Sequence, residues 1–149
     1  MFKSRFAAIA AASICIAFAT PVAAQSDWPI DNGDFVEVGM ISVDDGHDLE
    51  YATFLADRWK AQQEFAKSQG WITSYEVLFN ANRRKGEPDI YLLTRFSKMP
   101  DSAEELKREK AFLDFMKRST AQLQAESGDR AKFRTQIGSM LLREGRFKK

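Results

Sequence analysis

One cysteine, one histidine and no apolar run long enough to cross a bilayer mark what this 149-residue sequence does without. Cys15 sits inside an N-terminal apolar stretch, and without that stretch nothing is left to form a disulfide, a thiolate nucleophile or a cysteine metal ligand. His47 has no second imidazole to share a metal with. No G-x-S-x-G elbow, phosphate loop, zinc spacing or EF-hand loop occurs, so those enzyme and metal classes have no motif behind them. No metal and no cofactor is expected. Charge of one sign is lacking too: 22 basic residues face 21 acidic ones. No global field therefore points to nucleic acid or to an anionic membrane.

What is present begins with a leader. Lys3 and Arg5 precede the short apolar core "FAAIAAASICIAFA", Pro21 breaks it, and Val22-Ala23-Ala24 offers the small residues read by a signal peptidase. Residues 1–24 are predicted to be a signal peptide, which makes the protein periplasmic or secreted. The apolar core is shorter than the roughly 20 residues of a spanning helix, so no membrane anchor is expected. Ile14 before Cys15 is too large for a lipidation signal. With Lys3 and Arg5 set aside, 20 basic residues oppose 21 acidic ones, a net of −1 across the 125 residues left after the leader. That length suits one domain.

Residues 25–34, with Pro29 and Gly33, read as an irregular lead-in. "FVEVGMISV" (35–43) is short, apolar and rich in β-branched residues, as a strand requires. From Leu49 onward, Ala52, Leu55, Ala56, Trp59 and Ala66 recur at helical spacing, and Gly70 supplies a left-handed stop. "TSYEVLFNA" (73–81) and "DIYLLTRFS" (89–97) alternate about "NRRKGEP", a hairpin with a solvated basic tip of Arg83, Arg84 and Lys85. "MPDSAEELKREKAFLDFMKRSTAQL" predicts a long second helix, opened by Ser102 and Glu105 in capping-box spacing or by Asp101 and Glu104 one residue earlier. Leu106, Leu113, Met116 and Leu123 fall on its inner side, and Glu104–Arg108 and Asp114–Arg118 on its outer side. Gly128 interrupts, with a short third helix able to begin there. The last strand is centred on Ile137 to Arg143, and residues 145–149 form a flexible basic tail.

The acidic stretch "ISVDDGHDLEYATF" gathers three aspartates, a glutamate, a glycine and His47. Its chemistry suits a chain reversal: Asp44-Asp45-Gly46 turns the chain, and Asp45 or Asp48 caps the first helix. Asp48 and Glu50 favour the positive end of the helix dipole. His47 remains a candidate site residue because its ordinary pKa lies near neutrality.

Strand, helix, strand, strand, helix, strand is the ferredoxin-like βαββαβ plan: an α+β domain with an antiparallel sheet and its helices on one face. Both parities of residues 35–43 are apolar, so neither sheet face is patterned for water. An uncovered second apolar face is the mark of a partner or ligand surface.

The runs "RWKAQQEFAKSQGWITSYEVLF", "DIYLLTRF" and "RTQIGSMLLRE" resemble small exported proteins of uncharacterised function with the dimeric α+β barrel form of the ferredoxin-like fold. The resemblance covers nearly all of residues 35–144. It implies a homodimer in which two sheets pack face to face. That superfamily includes cofactor-free monooxygenases, haem enzymes and plain binding modules, and membership does not choose among them. Its haem enzymes place an axial histidine on a helix or strand, whereas His47 precedes the first helix.

Polar and aromatic residues of the predicted strands and first helix supply the ligand-binding candidates: Tyr51, Trp59, Gln63, Tyr75, Arg95 and His47, with Gln62, Glu37, Glu76 and Thr94 beside them. Trp59 on the buried stripe and Tyr75 in a strand also suit simple packing. Arg95 and Glu76 suit a cross-strand pair. The expected function is an exported small-molecule-binding or accessory module. The alternative is a cofactor-free monooxygenase-like oxidoreductase using the same sheet–helix cleft.

Overall fold

The computed structural model describes residues 27–149; the leader assigned to residues 1–24 lies outside the described residues. Four antiparallel strands lie in the order β2-β3-β1-β4, with β1 (Ile30–Val43) and β3 (Ile90–Phe96) inside and β2 (Ser74–Phe79) and β4 (Arg134–Phe147) at the edges. One continuous helical segment joins β1 to β2: α1 (Asp48–Phe54), a π-helical turn (Leu55–Trp59) and α2 (Lys60–Ser68). α3 (Ser102–Met116) and α4 (Thr120–Arg130) separate β3 from β4. The architecture is α+β and compatible with the ferredoxin-like plan. The helix α4 before the last strand makes the order β-α-β-β-α-α-β in place of the six-element plan.

Register decides which side chains meet the helices. Val38 pairs with Leu93 and Met140, Gly39 with Leu92, Glu37 with Thr94, and Ile41 with Ile90. Because successive strand residues point to opposite faces, Glu37, Gly39, Ile41 and Val43 share the helix side with Ile90, Leu92 and Thr94. There Ile41, Val43 and Ile90 pack with Tyr51 and Leu55 of the helix and with Phe133. Each such side chain contributes about 1.5–3 kcal/mol on burial. Val36, Val38 and Met40 share the opposite face with Leu93, Met140 and Leu142. On that face Met140 and Leu142 are 41% and 48% exposed.

The helices sit together on the first face. Phe65 of α2 stacks on Phe115 of α3 with ring centroids 4.2 Å apart and meets Trp71 edge-on. Arg58 reaches Glu126 of α4 at 2.5 Å. Gly70, at φ +69, ends α2 in a Schellman arrangement: the Trp71 N–H donates to the Ala66 carbonyl and the Gly70 N–H to the Lys67 carbonyl.

Several local expectations are corrected. His47, not an aspartate, occupies the cap position of α1 and makes no capping bond with its side chain. Asp48 and Glu50 remain in the first turn. Asp101, the earlier of the two α3 cap candidates, accepts the Glu104 N–H at 2.8 Å. The long second helix breaks at Lys117, which is left-handed at φ 51, and restarts with a Ser119/Gln122 capping box. Gly128 lies inside α4 and interrupts nothing. The competing start signal "STAQ" wins because it satisfies two orphan backbone groups at once. Glu104–Arg108 forms at 2.9 Å, but Asp114 pairs with Lys110 and Arg118 with Glu126. Leu106 points to solvent, 68% exposed.

β1 and β4 also run beyond their predicted ends. Ile30 pairs with Phe147 and Asp31 with Arg146, so part of the lead-in and of the basic tail forms ladder. Gly33 lies in the register irregularity between Asn32 and Phe35. A Cβ there would crowd the Glu144 carboxylate and come within 2.9 Å of Arg146 Nε. Gly33→Ala is therefore expected to cost about 1–3 kcal/mol by overpacking; urea unfolding at equilibrium checks this, and an unchanged midpoint would contradict it.

A candidate ligand cleft between helix and sheet

A cleft of about 320 Å³ lies between β1 and the first helix. The sheet forms its floor through Glu37, Gly39, Ile41, Leu92, Thr94 and Gln136, and the helix forms its roof through Tyr51, Phe54, Trp59, Gln62 and Gln63. Arg130, at the end of α4, and Arg134, at the start of β4, close one end. The π-helical turn matters to this arrangement. It ends at Trp59, just before Gln62 and Gln63, and such bulges recur at functional sites. Gly39 keeps the floor low, since an added Cβ would meet only Leu92, at 3.8 Å.

The two ends of the cleft differ in charge. Gln63 and Thr94 are 3.3 Å apart beside Glu37. Arg134 is paired with Val43, six residues along β1, or about 20 Å of strand. Arg130 lays its guanidinium over the Phe54 ring at 4.1 Å, and Arg134 Nη2 donates to Ser127 Oγ at 3.2 Å. Both arginines keep a buried Nε without a hydrogen-bond partner. Among the described residues neither forms an ion pair. Burial lowers the Arg130 pKa, and the nearby Arg134 charge adds to the effect. Tyr51 is 1% exposed, and its hydroxyl makes no hydrogen bond to a described residue. Burial pushes its phenol above the ordinary value, while Arg134 and Arg130 pull it back.

Three of the six sequence candidates, Tyr51, Trp59 and Gln63, meet in this cleft. Tyr75 lines a neighbouring apolar groove with Val77 and Phe79, touches Trp59 edge-on at 5.4 Å and donates its hydroxyl to Glu64. Arg95 lies on the opposite sheet face, 3.7 Å from Glu76 as the cross-strand spacing suggests. His47 stacks on Phe133 at 5.1 Å and pairs with Glu50 at 3.0 Å. It lines a wider recess of about 620 Å³. That recess is larger and shares Arg130 and Phe54 with the cleft, while most of its other charges are matched: Asp129 with Lys132, His47 with Glu50, and Arg58 with Glu126. Only the smaller cleft brings Arg130 together with Arg134 and with Tyr51, Trp59 and Gln63, and it is the better candidate.

Arg130, Arg134 and Gln136 were not legible as site residues. "DRAKFRTQ" looks like a surface charge run, and only the α4–β4 junction turns two of its arginines inward. The basic hairpin tip is tied down, with Arg83 paired to Asp89 and Arg84 to Glu87. Asp89 also accepts from Ser42 Oγ at 2.8 Å and from the Val43 N–H at 2.9 Å.

Among the described residues no helix is long and apolar enough to cross a membrane, and no group of three or more histidine, cysteine or acidic residues is placed to hold a metal ion. Comparison with known proteins finds no matching family model, no matching curated protein and no matching solved structure. The likeness to exported α+β barrel proteins thus rests on the sequence runs quoted above and on a compatible fold.

Proposed function

We propose that the protein is an exported, homodimeric module that binds a small organic molecule in the cleft between β1 and the first helix. One observation carries this reading: a walled cleft of about 320 Å³ is lined by Arg130 and Arg134, each of which keeps a buried Nε without a hydrogen-bond partner among the described residues. Leaving a buried donor without an acceptor costs about 1–3 kcal/mol. Such groups in a pocket with apolar walls are the usual means of orienting a ligand. Export is supported by the leader-like residues 1–24. The homodimer is supported by the second apolar sheet face, which a two-fold partner would cover with the same surface.

The test uses the cleft floor. Gly39→Val places a β-branched side chain into the space that the ligand would fill, in a strand that favours it. Stability is expected to stay within about 1 kcal/mol of wild type or to rise. Saturable quenching of tryptophan fluorescence by small aromatic probes such as benzoate, benzamide and phenol is expected to weaken at least tenfold, a loss of about 1.4 kcal/mol in binding. Probe binding that survives Gly39→Val unchanged would place the site elsewhere. Oxygen uptake with quinol-like compounds, abolished by the same substitution, would move the reading to the oxygenase class.

A further inference from the structure

Resting on that cleft, we infer that its ligand is an organic monoanion, a carboxylate on an apolar or aromatic body, with the carboxylate held between Arg130 and Arg134. A guanidinium presents its donors as a planar fork, and its two terminal Nη groups match the two oxygens of a carboxylate. Both arginines of the cleft bury the Nε without a hydrogen-bond partner among the described residues, so the Nη ends are the donors left to face the cleft. They stand at one end together, and no acidic side chain among the described residues forms an ion pair with either. Like charges brought close and partly desolvated oppose folding. Their juxtaposition is explained if a bound anion neutralises them. The Arg130 guanidinium is stacked on Phe54, which fixes its plane and leaves its edge to bind.

The rest of the cleft describes the body of the ligand. Ile41, Leu92, Phe54 and Trp59 are apolar walls, which suit a hydrocarbon or aromatic ring better than a hydrated phosphate. The Tyr51 hydroxyl, which makes no hydrogen bond to a described residue, offers one further donor near the arginine end. At the far end Glu37 lines the cleft beside the Gln63–Thr94 pair. A carboxylate there disfavours a second negative charge and accepts a hydroxyl or amine instead. The cleft therefore selects a ligand that is anionic at one end only.

Thermal melts of the full chain with benzoate and with benzamide, at fixed ionic strength so that screening is constant, test this directly. The two probes share shape and differ in charge. Ligand that binds only the folded state raises the melting temperature in proportion to the logarithm of its concentration over Kd. Benzoate is expected to bind wild type about tenfold or more tightly than benzamide, as charge-assisted hydrogen bonds require. Arg134→Met and Arg130→Met are each expected to bring benzoate down to the benzamide level. Arg84→Met, which removes the same charge from the exposed hairpin tip, should leave the preference intact. If a methionine variant does not fold, Arg134→Gln serves in its place.

Equal affinity for the two probes, lost for both in Gly39→Val, would overturn the anion inference and keep the binding cleft. A benzoate preference untouched by the arginine substitutions and removed by Arg84→Met would overturn it as surface attraction. If neither probe shifted the melting temperature of wild type, the inference and the cleft reading would fall together.

Discussion

Tyr51→Ala is expected to bring the domain to the edge of unfolding, whereas Tyr51→Phe should leave stability nearly unchanged and weaken ligand binding. Tyr51 is the most deeply buried large side chain described, 1% exposed, and its ring packs with Ile41, Val43, Leu55, Ile90 and Phe133 while stacking on Phe54 at 5.6 Å. Removing a buried ring costs about 3–5 kcal/mol through lost transfer energy and the cavity left behind. A domain of this size has only about 5–15 kcal/mol in total. The hydroxyl contributes little to folding because it has no hydrogen-bond partner among the described residues, so its deletion should change stability by under about 1 kcal/mol. Equilibrium urea unfolding separates the two variants. A Tyr51→Phe loss as large as that of Tyr51→Ala would mean that the hydroxyl is structural and would remove it from the ligand site.

The second large effect concerns the sheet face turned away from the helices. Met140→Glu with Leu142→Glu is expected to convert a dimer into a folded monomer. Both side chains are already about half exposed, so charges there should cost the isolated domain no more than about 1 kcal/mol. In a face-to-face dimer the same carboxylates would be desolvated and set against their own two-fold copies, an effect on the order of 3–5 kcal/mol or more than a hundredfold in the dimer dissociation constant. Sedimentation equilibrium across a concentration series reads this directly, with circular dichroism confirming the fold. Wild type that sediments as a monomer at micromolar concentration would contradict the dimer, and the apolar face would then need another cover.

How much of this could be read from the sequence depended on the range of the interaction involved. The strands and the first helix were legible because β-branched alternation and the Ala52–Leu55–Trp59 spacing are local signals that the packing reinforces. The Gly70 stop and the Asp101 cap were legible for the same reason, since each satisfies backbone groups within one turn. The break at Lys117 was harder. A helical stripe continues through it, and only the rival capping box at Ser119 decides the outcome. The outer ends of β1 and β4 depended on pairing across more than a hundred residues, which no local pattern encodes: Ile30 meets Phe147 although Asn32, Gly33 and Asp34 look like a turn. Face parity was a further unknown, because Val36 and Glu37 gave no basis for choosing until Gly39 was seen opposite Leu92.

The cleft was half legible. Tyr51, Trp59 and Gln63 lie on one helix, and their approach to the sheet follows from its amphipathic pattern. The π-helical turn at 55–59 adjusts that pattern by one residue, which an ideal 3.6 period does not anticipate. Arg130 and Arg134 come from the opposite end of the chain and look like solvated charges until α4 and β4 fold them inward. The signal that could have suggested them is the apolar Phe133 between them, now part of the core. A buried anchor in a charge run draws its neighbours toward the interior.

The most direct test of the account is a two-dimensional amide NMR titration of the full chain with benzoate. Shifts that saturate and map to Gly39, Tyr51, Trp59, Leu92, Arg130 and Arg134, and that vanish in Gly39→Val, are the predicted result. Shifts confined to the recess beside His47 or to the Met140 face, or none at all at millimolar benzoate, would contradict it.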